Sequence, residues 1–194
     1  MTHVLVAGDH FVLPSLFIDA IKAKSHSHNP TFSELVLPWP LTPFGQIGNV
    51  QEASGSIQGT IDALQSAEIA VTQMAPFTAE VFARAPGLKM IGVSRGGPVN
   101  IDLKAATEAG VIVSYAPGRN AQAAAEFTIG LMLAAMRRIT KGDSELHLGT
   151  WRGDFYTYEN AGIELAGSTI GLIGYGAIGS IVARVLIAFG AQVV

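Results

Sequence analysis

The chain has 194 residues, enough for one complete α/β domain and part of a second. Apolar residues make up 49% of it and charged residues 14%, a balance that builds a buried core and excludes a disordered chain. The net charge of −3 offers no basic footprint for nucleic acid, and the lack of cysteine excludes a disulfide framework or a thiolate metal site. No metal-ligand cluster is expected. The opening Met-Thr-His-Val-Leu-Val-Ala-Gly lacks the charged-then-apolar layout of a signal peptide, and the cysteine-free composition fits a cytoplasmic protein.

In chain order, short apolar runs alternate with helical segments. Residues 4–7, 34–39, 68–74, 89–94 and 111–116 read as strands; 17–24, 57–65, 78–85 and 103–109 read as helices. Near-continuous apolar strands separated by helices predict a parallel sheet covered on both faces. Residues 37–55, with three prolines, read as loop. Asp102 is a good N-cap for the helix that follows, and Gly110 a good residue to close it. The length of the first domain, residues 1–97, suits a flavodoxin-like doubly wound unit, in which ligands collect beyond the carboxyl ends of the strands. Two loops leave those ends: Thr72-Gln-Met-Ala-Pro-Phe-Thr78 and Ser94-Arg-Gly-Gly-Pro-Val-Asn100. In the second, the amides of Gly96 and Gly97 lie beside the cation Arg95, which suits a carboxylate or phosphate.

A long helix is expected over 120–138, capped by Asn120, with Arg137 and Arg138 at the negative end of its dipole. Its apolar residues run nearly all round, so burial between domains or subunits is expected. From 141 to 160 the composition turns polar, interleaved with Trp151, Phe155, Tyr156 and Tyr158. A subunit-contact arm and an aromatic-lined structural loop are equally good readings of it.

The stretch Thr169-Ile-Gly-Leu-Ile-Gly-Tyr-Gly-Ala-Ile-Gly179 reads as strand, G-x-G-x-x-G turn and helix start. Gly174 makes the tight turn, Gly176 admits a pyrophosphate to the backbone, and Gly179 lets helix pack on strand. The first helix amides lack intrahelical acceptors and offer donors to an anion. A P-loop is excluded because Ser180 stands where its Lys is required, and a membrane span because of the three glycines and Arg184. The acid that holds the adenosine ribose, about 20 residues beyond the glycines, is not reached before Val194. The sequence is therefore expected to be the front part of a longer protein.

These motifs carry a family resemblance. Gly92-Val-Ser-Arg-Gly-Gly-Pro-Val-Asn-Ile-Asp102 resembles the segment closing the first domain of the D-2-hydroxyacid dehydrogenases. Pro117-Gly-Arg-Asn-Ala-Gln-Ala-Ala-Ala-Glu126 resembles their helix start, and Leu165 to Gly179 their cofactor turn. The D-3-phosphoglycerate dehydrogenase branch is the most similar. The resemblance implies a substrate domain (1–97), then the start of an NAD(P)-binding Rossmann domain (98–194). It also implies hydride transfer between NAD or NADP and a 2-hydroxy or 2-keto acid. Separately, the apolar helix over 120–138 and the aromatic segment after it lead us to expect a homodimer. Arg95, Gly96, Gly97 and Asn120 would face substrate, with Arg95 suited to an extra negative charge such as the phosphate of 3-phosphoglycerate. Gly174, Tyr175, Gly176, Ala177, Ile178 and Gly179 would hold the cofactor. The family's catalytic Arg, acid and His have no counterpart in these residues, so none here is assigned a catalytic role, and the 194-residue chain itself is expected to be inactive.

Two other readings remain at this stage. One is a non-catalytic nucleotide-binding or dimerising module. The other is an α/β hydrolase, because Gly92-Val-Ser-Arg-Gly96 matches G-x-S-x-G with Ser94 as nucleophile, followed by Asp102 or Asp143 and then His147.

Overall fold

The computed structural model describes residues 2–25 and 29–194. Two compact units divide it, Met1–Pro117 and Gly118–Val194.

In the first unit, strands β1 (His3–Gly8), β2 (Thr31–Val36), β3 (Ile69–Thr72), β4 (Met90–Val93) and β5 (Ile112–Tyr115) alternate with helices α1 (Pro14–Lys24), α2 (Ile57–Leu64), α3 (Ala79–Arg84) and α4 (Leu103–Glu108). All strand pairs are parallel, in the order β2-β1-β3-β4-β5. This is the flavodoxin-like doubly wound order, with its reversal between β1 and β3. The inner strands bury Leu5, Ala7, Ala70, Ile91 and Val93, which share one core with Leu64, Phe77, Val81 and Leu88 from the helices and loops. Helix starts follow local chemistry. Ser56 accepts a hydrogen bond from Gly59 N to cap α2, and Asp102 accepts one from Ala105 N to cap α4. β2 starts and ends before the expected 34–39 because it pairs residue for residue with β1, His3 against Thr31 through Gly8 against Val36. The compact unit ends downstream of the boundary expected near Gly97, because α4 and β5 complete the first sheet.

The second unit contains α5 (Ala121–Met136), α6 (Ile139–His147), a short 3-10 turn (Gly153–Tyr156), β6 (Thr169–Ile170), α7 (Ala177–Ala188) and β7 (Gln192–Val193). β6 and β7 pair in parallel across α7, the beginning of a dinucleotide-binding unit. Leu165, Val182 and Leu186 form its core with Ala125, Ile129, Met132 and Leu133 of α5. The helix expected over 120–138 stops at Met136, because Arg138 takes a left-handed backbone (φ 54°) and starts α6 in a new direction. The segment after it returns tightly there: Ile163 N donates to Met136 O at 3.0 Å, and a Cβ on Gly162 would sit 2.6 Å from that same oxygen. Only Ala121 and Ala125 of α5 are fully buried, while Phe127 and Leu131 remain 69% and 57% exposed. Arg152 orders the aromatic stretch: it donates to Asp154 and Glu145 and stacks 4.7 Å over the Phe155 ring. No helix among the described residues is long and apolar enough to cross a membrane.

Candidate substrate and dinucleotide sites

At the dinucleotide turn the three glycines serve different ends. Gly174 has φ +102°, a backbone that side chains rarely adopt. Gly179 lies in the first turn of α7, where a Cβ would fall well inside contact distance of the Gly174 carbonyl. Gly176, the N-cap, has an ordinary φ of −95° and open space where a Cβ would go. Ser180 N donates to Gly176 O at 3.0 Å and is the first helix amide to reach back to the turn. The preceding amides of Ala177, Ile178 and Gly179 are thus donors at a positive dipole end, the chemistry a diphosphate requires. Tyr175 and Ile178 are exposed at the same turn.

The loop leading into α5 borders this turn, since a Cβ on Gly118 would lie 3.7 Å from the Ala177 methyl group. Asn120 occupies the N-cap position of α5, but its side chain makes no capping hydrogen bond. Its φ and ψ of −105° and 12° are not the extended geometry a side-chain cap uses. The exposed amide is left available for another partner.

In the first unit, polar groups gather on the segments that follow β1, β3 and β4. Asp9 is almost wholly buried; one carboxylate oxygen accepts from Phe11 N (2.8 Å) and Val12 N (2.7 Å), and the other has no partner. Gln73 Oε1, Thr78 Oγ1, Ser94 Oγ and Asn100 Oδ1 are also buried without partners. Among the described residues, these five polar atoms on the carboxyl-end loops of one sheet are buried without a protein hydrogen-bond partner. Sequence reasoning singled out the loops carrying Gln73 and Ser94 but gave no weight to Asp9 or Gln73. The signal available for Asp9 was a lone acid directly after an apolar strand.

The same loops are knitted together. Ser94 N donates to Thr72 O (2.9 Å), Asn100 Nδ2 to Ala75 O (2.8 Å) and Phe77 N to Asn100 O (2.9 Å). Gly96 and Gly97 carry open space on the side a Cβ would occupy, so a small anion can approach their backbone. Arg95 is not a free cation. Its side chain is 14% exposed and forms an ion pair with Glu52, and Nη1 donates to Glu52 O (3.0 Å) and Met74 Sδ (3.3 Å).

The hydrolase arrangement does not form. Ser94 Oγ has no hydrogen-bond partner, and the chain behind it runs through Pro98 and Val99 before α4 begins at Leu103, so no helix starts at the serine. Asp102 is used as the cap of α4, where the Ala105 amide and then the Asn49 side chain hold its carboxyl below the ordinary Asp value. Asp143 and His147 are partners of each other on α6 in the other unit, with His147 Nδ1 2.9 Å from Asp143 O.

The chain is similar to known proteins. The D-3-phosphoglycerate dehydrogenase of Mycobacterium bovis is 43% identical over 116 residues, covering 60% of this chain and 21% of that protein. The glyoxylate reductase of Thermofilum pendens is 42% identical over 115 residues, covering 59% of this chain and 34% of that protein. The chain therefore spans a fifth to a third of the length of these curated relatives. The solved structure of the TT0316 protein from Thermus thermophilus matches with a TM-score of 0.73 at 28% identity, covering 99% of this chain and 55% of that one. The profile of the D-isomer specific 2-hydroxyacid dehydrogenase catalytic domain matches residues 40–183. On that match, the chain belongs to the D-isomer specific 2-hydroxyacid dehydrogenases.

Proposed function

We propose that this chain is the substrate unit and the first part of the cofactor unit of an oxidoreductase. The reaction is hydride transfer between NAD or NADP and a 2-hydroxy or 2-keto acid. The observation that carries this reading is the glycine turn: three free amides at the start of α7, beside a glycine whose missing Cβ leaves open space. The cofactor, when bound, supplies the hydride itself. The chain's own part is binding and orientation. The turn residues Gly174, Tyr175, Gly176, Ala177, Ile178 and Gly179 hold the diphosphate. In the first unit Gly96 and Gly97 present amides to the substrate carboxylate, and Arg95 lies beside them. In the second, Asn120 offers an uncommitted side-chain amide. None of these groups supplies the proton that the nascent alkoxide requires, so no catalytic role is assigned to a residue of this chain.

The two relatives named above reduce or oxidise different acids by their names, one phosphorylated and one not. A phosphorylated acid such as 3-phosphoglycerate suits Arg95 only where the Glu52 carboxylate gives way. We assign a homodimer contact to the exposed Phe127 and Leu131 on α5 and to the exposed aromatic residues after α6. The functional test is NADH and NADPH oxidation by the full-length protein against a panel of 2-keto acids. Turnover of at least one supports the reading. Tight dinucleotide binding with no turnover of any would favour a nucleotide-binding module without catalysis.

A further inference from the structure

The loop before α2 contains an acid in an unusual backbone state. Glu52 has φ 46°, one of three non-glycine residues among those described with a positive φ. Its neighbours are pinned on both sides: Gln51 N donates to Val99 O (2.9 Å), Ala53 N to Gly45 O (3.1 Å) and Ser54 N to Met74 O (2.9 Å). The chain thus accepts a left-handed residue between anchored positions, and the result is that both the carbonyl and the carboxylate of Glu52 meet Arg95. The two partners differ in freedom. Arg95 is 14% exposed and held by three acceptors, whereas the Glu52 side chain is 57% exposed. A guanidinium presents its donors as a planar fork, and a carboxylate already seated on it denies that fork to a second anion.

We infer that Glu52 is a specificity-determining residue: an internal counter-ion that screens Arg95 and disfavours substrates with a second anionic group. This rests on the proposal that Arg95 lies beside the substrate. With Glu52 in place, the Arg95 neighbourhood is close to neutral and suits a 2-keto acid with an uncharged side chain. A doubly anionic acid must first displace the Glu52 carboxylate, which can swing into solvent while its backbone carbonyl keeps the arginine in position.

The test compares the full-length wild-type protein with Glu52→Gln, using 2-oxobutanoate and oxaloacetate, two 2-keto acids that differ by a terminal methyl against a carboxylate. Glutamine keeps the shape of the side chain and removes its charge. Glu52→Gln should raise kcat/KM for oxaloacetate relative to 2-oxobutanoate by on the order of tenfold, through KM and not kcat. The double variant Glu52→Gln/Arg95→Gln should lose that gain, because the cation that Glu52 screened is gone. A parallel fall for both acids would show that Glu52 only braces the loop, and an unchanged ratio in an active enzyme would equally overturn the inference while leaving the proposed function intact. If the full-length protein binds NADH by fluorescence titration yet reduces no acid of the wider 2-keto acid panel, the functional reading fails and the inference falls with it.

Discussion

The three glycines of the turn should separate by experiment, because an added side chain meets a different environment at each. At Gly179 a Cβ would collide with the Gly174 carbonyl, which is backbone and cannot rotate away. Overpacking of that kind costs about 1–3 kcal/mol. It is offset by the roughly 0.8–1 kcal/mol that alanine gains over glycine in a helix. Gly179→Ala should therefore destabilise the second unit by up to about 2 kcal/mol. Gly174→Ala meets no atom but must hold φ +102°, which costs about 1–3 kcal/mol for a residue with a side chain. Gly176→Ala meets neither obstacle. Its lost unfolded-state entropy, about 0.4–1 kcal/mol in its favour, roughly balances the poorer N-cap that alanine makes. The protein without cofactor should therefore be nearly unchanged in stability, yet the added methyl occupies the space the diphosphate needs. Chemical denaturation without cofactor, paired with NADH titration by fluorescence, gives the two readouts. Gly176→Ala should leave the denaturation midpoint alone and weaken NADH binding by roughly ten- to a hundredfold, about 1.4–2.7 kcal/mol. Unchanged NADH affinity in Gly176→Ala would refute the assignment of this turn to a diphosphate.

The other expectations concern single contacts. Asp102→Ala should cost about 1 kcal/mol through loss of the α4 cap. Hydrogen bonds hold that carboxyl below its ordinary value of 3.8, so its contribution is complete above that value and lost as pH falls through the lowered one. Asp102→Asn should keep the cap and flatten this acid dependence in pH melts. Phe127→Glu with Leu131→Glu should convert a dimer of the full-length protein to monomer in sedimentation, and a dimer that persists would move the contact elsewhere. Ser94→Ala removes a hydroxyl that has no partner, so stability should hold or rise slightly, and a serine-directed phosphonate should leave the wild-type protein unlabelled. Labelling at Ser94 would count against the family chemistry.

Local chemistry made much of the fold readable in advance. Apolar runs located all five strands of the first sheet, and Asp102 and the glycine turn occupy the positions their residue types imply. What escaped depends on contacts distant in sequence. Arg95 and Glu52 are separated by 43 positions, and nothing around either residue announces the pair, so Arg95 read as a free cation. Asn120 carried a strong capping signal, yet its backbone sits outside the geometry a cap needs. The left-handed turn at Arg138 was equally hidden. Arginine has no intrinsic preference for that state, and it occurs where the returning segment at Gly162 and Ile163 packs against the end of α5. Five buried polar atoms without partners could be recognised only once the strand ends had been assembled side by side.

The central claim is hydride transfer to a 2-keto acid, and isotope transfer tests it most directly. The full-length protein is supplied with nicotinamide cofactor deuterated at C4 of the reduced ring and a 2-keto acid that it turns over, and the product is examined by NMR and chiral chromatography. The account predicts one deuterium at C2 of a D-2-hydroxy acid, formed in step with cofactor oxidation. Product without deuterium from either face of the labelled cofactor, or of the L configuration, would contradict it.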